Sequence, residues 1–262
     1  MSRVEEIKNS DFIISIGTFF ENDNYRSLIE QSNAKFVYMF PIDKEELKSK
    51  YFSFAKYEVG SEEAVLALIL NFFASNYDSK TKDFLEDLDL GYLSAECSVG
   101  EEEFEDIFSI SQEIQDEKTK SLIIGDDILN HPRCENVLNI LKLIEKYTDL
   151  NILFLNDALE EKFEKKKDAD ECLLEDVEDL KSFNGTVVYK LLEESKYLVS
   201  SQTFANIAKV KDADSVLVIS KDETFKKVLK IDENLNGTIA LLGLKNLGKN
   251  YRYSQVKIEK SE

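Results

Sequence analysis

The feature that most constrains the fold is an alternation of hydrophobic patterns within residues 11–70. An apolar run at 12–16 stops at Gly17, a polar stretch of helical character follows, and a second apolar run occupies 35–40. An amphipathic stretch then opens at Ser61. Apolar runs of strand length joined through a helical segment, with a glycine where the first run stops, predict a strand–helix–strand unit of the nucleotide-binding type.

The helix after the second strand has a typical start. Ser61 is a residue type that caps the first turn of helices, and Glu62 and Glu63 would lie at the positive end of the helix dipole. The following residues, 64–73, are apolar enough to lie against a sheet. We therefore expect Ser61 to cap the first turn of this helix and the two glutamates to interact favourably with the helix dipole.

The same alternation continues to about residue 158. Strands are predicted at 12–16, 35–40, 121–125 and 151–155, and helices at 61–75, 101–114 and 134–147. Such alternation implies a largely parallel sheet covered on both faces. We therefore expect an α/β fold in which residues 1–158 form a parallel-sheet, Rossmann-like domain.

A charged segment and then a β-rich region follow. Residues 159–184 are dense in charge and lack glycine and proline, which predicts an exposed, partly ordered helix or a linker. Residues 185–262 are predicted to form a small β-rich, barrel-like domain. Its strand candidates are 186–189, 215–219, 238–242 and 253–258, and turn-forming residues separate them.

Ligands of parallel sheets bind beyond the carboxyl ends of the strands, which makes the residues after the predicted strands the candidate site. The candidates for cofactor binding are Gly17, Thr18, Asp43 and Gly125. A phosphate cradle usually needs several glycines, whereas Gly17 and Thr18 are followed by two phenylalanines. We interpret Gly17 mainly as a turn glycine, and two aspartates after Gly125 already occupy the position of an anion.

The single histidine and the three cysteines predict no metal or catalytic site. His131 precedes Pro132, a residue suited to the first helical position, so a structural role at a helix cap is the simplest interpretation. Cys97, Cys134 and Cys172 lie far apart, and an iron–sulfur cluster takes four cysteines or two cysteines with two histidines. We expect no disulfide framework, no metal ligand set and no catalytic residue.

The charge is uneven along the chain. Of 33 basic and 52 acidic residues, 13 and 10 lie from Gly185 onward, so the residues before it carry a formal charge of −22 and the remainder +3. A field of this sign repels nucleic acid and anionic lipid but not a basic protein face. No apolar run is long enough to cross a bilayer, and the first residues lack a signal-peptide core, so we expect a cytoplasmic protein.

Several segments, in the same order along the chain, are similar to one known family. They are residues 15–18 (SIGT), 40–43 (FPID), 59–70 (VGSEEAVLALIL), 89–107, 121–147 and 200–220. Together they resemble the pterin-binding part of the molybdopterin oxidoreductase superfamily and, within it, the large peripheral-arm subunit of bacterial NADH-quinone oxidoreductase (respiratory complex I). The family's Gly-x-Asn-Pro loop is replaced here by Gly-Thr-Phe-Phe, and its iron–sulfur domains have no counterpart.

The resemblance implies a non-catalytic accessory subunit of a bacterial complex I-like NADH/quinone oxidoreductase, or a replacement NADH dehydrogenase subunit. Such a subunit would be a scaffold of the peripheral arm or a docking site for an electron carrier. It would be cytoplasmic and peripheral to the inner membrane through the complex, and would bind no cofactor. Its partners would be other subunits of the assembly, including a basic protein face or an electron carrier, with no nucleic acid and no direct membrane insertion.

A second class of function stays open. A stand-alone α/β oxidoreductase could bind a nucleotide or a flavin between Gly17, Asp43 and Gly125. Bound flavin or nucleotide absorbance in the purified protein would favour this alternative. Co-purification with membrane-arm subunits would favour the scaffold.

Overall fold

The protein has two compact units, Met1–Leu180 and Lys181–Glu262. The structure is a computed structural model and describes residues 2–114, 118–166, 175–178 and 183–261. Among these residues, no helix has the length and apolar character needed to cross a bilayer.

The first unit is built on a five-stranded parallel sheet. Its strands are β1 (Phe12–Ile16), β2 (Lys35–Met39), β3 (Tyr51–Ala55), β4 (Lys120–Ile124) and β5 (Leu150–Phe154). Their order in the sheet is β3-β2-β1-β4-β5, and every neighbouring pair is parallel. The expected α/β, Rossmann-like fold is therefore confirmed. Four of the strands lie where the apolar runs predicted them, and β3 was not predicted.

Eight helices of the first unit are described. They are α1 (Arg3–Asn9), α2 (Asp23–Gln31), α3 (Glu62–Phe73), α4 (Ser79–Asp87), α5 (Leu90–Cys97), α6 (Glu101–Gln112), α7 (Cys134–Tyr147) and α8 (Asp157–Glu164). Short 3-10 helices span Glu45–Leu47 and Asp126–Asn130.

Helix α3 is the centre of this unit. Ten of its twelve residues are buried. The helix packs against α5, α6 and α7, and its apolar residues also belong to the core that covers the sheet. A helix that is apolar on all sides requires such an enclosed position. The consequence for the site is that the first residues of α3, Glu62 and Glu63, are also buried rather than exposed at a helix end.

At two predicted helix starts, the side chain predicted to cap the helix makes no capping hydrogen bond. Ser61 occupies the N-cap position of α3, but its hydroxyl donates to the Glu58 carbonyl oxygen at 2.7 Å and makes no capping bond to the helix. Helix α7 begins at Cys134 with Arg133 at its N-cap, so Pro132 is not its first residue. His131 instead closes the preceding 3-10 helix. In both places the side chain bonds backbone within the loop rather than the first turn of the helix.

The second unit is a mixed seven-stranded sheet with one described helix, α9 (Gln202–Ala208). Its strands are β6 (Val187–Leu191), β7 (Tyr197–Ser200), β8 (Ser215–Ile219), β9 (Thr224–Ile231), β10 (Ile239–Gly243), β11 (Tyr253–Gln255) and β12 (Lys257–Lys260). The order in the sheet is β11-β6-β10-β7-β9-β8-β12.

The chain itself makes this sheet curl. The predicted strand 253–258 is two strands, β11 and β12, which pair at opposite ends of the sheet although only Val256 separates them. The Val256 N–H donates to the Thr186 carbonyl oxygen at 3.0 Å, and the Thr186 hydroxyl donates to the Val256 carbonyl oxygen at 2.6 Å. Two end strands joined by one residue must meet, so the expected β-rich, barrel-like unit is a curled mixed sheet.

The predicted charged segment is described only in part. Its beginning belongs to α8, which packs on β5 through the rings of Phe163 and Phe154, with centroids 4.9 Å apart. Residues 167–174 and 179–182, including Cys172, lie outside the described residues. Residues 175–178 are described; they belong to the first unit and form hydrogen bonds with Arg133 and Asn136.

Candidate functional site

The candidate site lies where the two central strands of the parallel sheet end. Strands β1 and β4 are neighbours in register, with Ile16 opposite Ile124. The chain continues from β1 to β2 on one side and from β4 to β5 on the other. The carboxyl ends of such a strand pair form the topological switch point at which α/β sheets bind ligands. Gly17 and Gly125 follow these two strands directly, as the sequence predicted.

The loops after β1 and β4 are in direct backbone contact. Gly17 has φ +68°, and a Cβ atom on Gly125 would lie 2.0 Å from the Gly17 carbonyl oxygen. The Gly125 N–H donates to the Ile16 carbonyl oxygen at 2.9 Å, the Asp127 N–H to the Gly17 carbonyl oxygen at 3.1 Å, and the Gly17 N–H to the Tyr57 hydroxyl at 3.2 Å. Three N–H groups that could contribute to a phosphate cradle, those of Gly17, Gly125 and Asp127, therefore already have protein partners.

Aromatic side chains fill the space beside these loops. Phe19 and Phe20 are 7% and 2% exposed and pack with the fully buried rings of Tyr38, Phe40 and Tyr57. The ring centroids of Phe20 and Tyr38 are 6.0 Å apart, and those of Tyr38 and Phe40 are 5.9 Å apart. Phe20 adopts φ +50°, a conformation that a bulky residue keeps only when its surroundings hold it. We call these five residues the aromatic plug.

The other two sequence candidates have structural contacts. Thr18 is 3% exposed, and its hydroxyl accepts the Phe20 N–H at 3.1 Å, which shapes the loop that carries the aromatic plug. Asp43 accepts a hydrogen bond from Tyr51 at 3.1 Å and lies 3.4 Å from the Lys48 ammonium. Burial and then the charge of Asp43 raise the pKa of Tyr51, so this phenol stays protonated.

A buried polar group lies beside the switch point and was not predicted. Glu62, Asp127 and His131 are 0%, 1% and 5% exposed. His131 Nε2 lies 3.3 Å from a Glu62 carboxylate oxygen and 3.1 Å from the Gly60 carbonyl oxygen. The His131 Nδ1 accepts the Arg133 N–H at 3.0 Å, which places the proton of the neutral ring on Nε2. The sequence placed Glu62 in the first turn of a helix, and the local sequence pattern carries no signal that this glutamate is buried.

The environment shifts the protonation equilibria of this group. Burial opposes a charge on the His131 ring, but the hydrogen bond with Glu62 and the charge of that carboxylate raise the pKa of His131 above its ordinary value. Burial, followed by the charges of Glu62 and Asp127, raises the pKa of Tyr57 well above its ordinary value. His131 therefore holds its proton more tightly than a free imidazole does, and Tyr57 remains a neutral phenol.

The described cysteines are poor nucleophiles. Cys97 and Cys134 are buried free thiols. Burial raises the pKa of Cys97 to about 11 and also raises the pKa of Cys134, so neither forms much thiolate at neutral pH. Among the described residues, no group of three or more histidine, cysteine, aspartate or glutamate side chains is placed to hold a metal ion.

Comparison with known proteins adds no identification. A scan against protein-family models found no match, and a search of curated proteins found no similar sequence.

Proposed function

We propose that the protein is a non-catalytic accessory subunit of a bacterial complex I-like NADH/quinone oxidoreductase, either a scaffold of the peripheral arm or a docking site for an electron carrier. The observation that carries the proposal is the aromatic plug at the switch point. A nucleotide-binding fold in which buried aromatic side chains pack beside the ligand-binding edge of the sheet, and in which three loop N–H groups are bonded to protein, suits a structural subunit.

Two further features support the proposal. The order of the units, an α/β domain followed by a curled β-rich domain, agrees with the order of the segments that resemble the large peripheral-arm subunit. The residues before Gly185 carry a formal charge of −22, which suits association with a basic protein face or an electron carrier. On this proposal the protein is cytoplasmic, reaches the inner membrane only through its partners and binds neither a cofactor nor nucleic acid.

The stand-alone oxidoreductase is the second candidate. The buried group of Glu62, Asp127 and His131 favours it, because ionisable side chains enclosed at a switch point are typical of reaction sites. This candidate requires the aromatic plug to move away from the loops before a nucleotide or a flavin can enter.

A ligand titration discriminates the two candidates. We expect the purified protein to show no flavin absorbance and no saturable binding of FMN, FAD, NADH or GDP by isothermal titration calorimetry. The physical reason is that the Gly17, Gly125 and Asp127 N–H groups already have partners. Saturable binding of one of these ligands, together with a change in the environment of Tyr57 or Phe20 on binding, would support the oxidoreductase and refute the accessory subunit as a cofactor-free scaffold.

A further inference from the structure

An open groove with a volume of about 410 Å³ lies between α4 and α5 on the surface of the first unit. Four apolar side chains form part of its lining: Phe84, Leu88, Leu93 and Val177. Leu93 is buried, and the other three are partly buried and pack against the core of the unit. An apolar side chain that entered this groove, which we call the α4–α5 groove, would therefore extend the packing of that core.

Three aspartates also line the groove. Asp87 and Asp89 lie where α4 ends and α5 begins, and Asp176 is next to Val177 in the chain. Lys80 is the one basic residue in the described lining, so three aspartates and one lysine give the groove a formal charge of −2. The groove thus combines an apolar surface with an excess of negative charge.

Only one of these aspartates has a structural role among the described residues. Asp89 accepts the Tyr92 N–H at 3.0 Å and so caps α5. Asp87 is the last residue of α4, where a carboxylate opposes the helix dipole, and the last turn carries no basic residue. In the described part of the chain, neither the Asp87 nor the Asp176 side chain forms an ion pair. A carboxylate that is kept against its own helix dipole is typical of an interaction surface.

Tyr92 adds an exposed aromatic ring to the groove, since this residue is 45% exposed. Tyrosine is enriched among the residues that contribute most to the free energy of protein–protein binding. The face of its ring also attracts the ammonium of lysine or the guanidinium of arginine. The ring, the aspartates and the apolar lining therefore favour the same occupant, a protein segment that carries a cationic side chain beside an apolar one.

The charge of the surrounding chain favours this occupant too. The residues before Gly185 carry a formal charge of −22. Such a field accelerates the approach of a basic protein surface and opposes an acidic surface or a second copy of this chain. Nucleic acid and anionic lipid are disfavoured for the same reason.

We propose that the α4–α5 groove is a docking surface for a partner protein, which inserts an apolar side chain between α4 and α5 and places lysine or arginine against Asp87, Asp176 and the ring of Tyr92. The inference rests on the accessory-subunit proposal for the identity of the partner, because it assigns the association with a basic protein face to this groove. The kind of partner segment follows from the groove alone.

Photocross-linking in cells of the organism that carries the gene tests the proposal. The photoreactive aromatic amino acid p-benzoylphenylalanine replaces Tyr92 in the full-length protein, and mass spectrometry identifies the cross-linked peptides after irradiation. We expect a cross-link to a lysine- or arginine-bearing segment of another protein. The yield should fall at least about fivefold when Asp87→Lys and Asp176→Lys are added, because like charges then oppose the partner.

Glu102→Lys/Glu105→Lys is the matched control. Both glutamates are exposed on α6 and do not line the groove, and the double change alters the net charge of the chain by the same amount. We expect the cross-link yield to change less than about twofold in this control. Thermal unfolding checks that the groove variant is folded. We expect no loss of stability from Asp87→Lys, since a cation suits the end of α4.

Three results would overturn the proposal. They are no cross-link to another protein, a cross-linked partner segment without basic residues, and an equal loss of yield in the groove variant and the α6 control. A cross-link only to the chain's own residues 167–174 or 179–182, which lie outside the described residues, belongs to the first of these results.

The same experiment separates this inference from the accessory-subunit proposal. A charge-dependent cross-link to a basic segment of a protein that is not part of an NADH-quinone oxidoreductase would support the docking surface and contradict the accessory subunit. Loss of quinone reductase activity on deletion of the gene, without any cross-link from position 92, would support the accessory subunit and contradict the docking surface.

Discussion

Replacing Gly125 by alanine is expected to destabilise the first unit by more than about 4 kcal/mol, or to prevent its folding. The new Cβ atom would lie 2.0 Å from the Gly17 carbonyl oxygen and 2.4 Å from the Thr18 Cβ atom. These atoms cannot withdraw, because hydrogen bonds from Gly125 to Ile16 at 2.9 Å and from Asp127 to Gly17 at 3.1 Å hold the two loops together. Urea denaturation, monitored by circular dichroism, measures the decrease in the free energy of unfolding.

Gly91→Ala is the matched control. Gly91 lies in α5, and the nearest atom to an added Cβ would be an Asp89 oxygen at 3.7 Å, an ordinary contact. We expect the free energy of unfolding to be unchanged or raised by about 0.5 kcal/mol, since alanine suits a helix better than glycine. A Gly125→Ala protein within about 1 kcal/mol of wild type would show that the loops after β1 and β4 are not in contact.

Replacing His131 by alanine is expected to lower the free energy of unfolding by about 3 kcal/mol near pH 6. The change leaves the Glu62 carboxylate, which is 0% exposed, without the ring nitrogen that lies 3.3 Å away. In a Glu62→Gln background, the His131→Ala substitution should lower the free energy of unfolding by less, because residue 62 then carries no charge that could become buried and unpaired. Equal losses in the two backgrounds would show that His131 and Glu62 are not coupled.

The pH dependence gives a second measure of this pair. Because the folded-state pKa of His131 is raised above its ordinary value of 6.5, its contribution to stability is fully present below pH 6.5 and is lost as the pH rises through the folded value. The stability difference between wild type and His131→Ala should therefore shrink at alkaline pH. The chain has one histidine, so a single NMR titration curve reports its pKa, which Glu62→Gln should lower.

Much of the first unit could be predicted because its strands are continuous apolar runs that are buried on both faces. Strand β1 and helix α7 have the predicted bounds. Strand β3 was not predicted because it is the sheet's edge: its Phe52 is 60% exposed, and its YFSFA sequence lacks a continuous buried run. Burial on both faces gives a parallel strand its sequence signal, and an edge strand lacks it.

The second unit was harder to predict because its strands carry charge on the core side. Strand β9 contains three lysines, and Lys227 lies on the side of the sheet that faces the core. Its ammonium donates to the carbonyl oxygens of Ser195 at 2.5 Å and Gly243 at 2.8 Å, contacts between distant parts of the chain. A local hydrophobic pattern cannot reveal such partners.

The sequence predicted where the candidate site lies, but it did not predict which buried side chains surround it. Gly17, Thr18 and Gly125 lie together at the switch point, because strand ends can be read from apolar runs. The phenylalanines after Gly17 were noted as unsuited to a phosphate loop, and the structure adds that Phe20 packs against rings from β2. The burial of Glu62 and the hydrogen bonds of Asn136 with Glu175 depend on tertiary contacts, so no local pattern could have predicted them.

The most direct test of the accessory-subunit proposal is deletion of the gene in the organism that carries it, followed by isolation of the membranes and an NADH-dependent quinone reductase assay. We expect that quinone reductase activity is lost, that the peripheral arm of the complex is destabilised, and that a plasmid copy of the wild-type gene restores both. A complex that assembles and turns over normally without this protein would contradict the proposal.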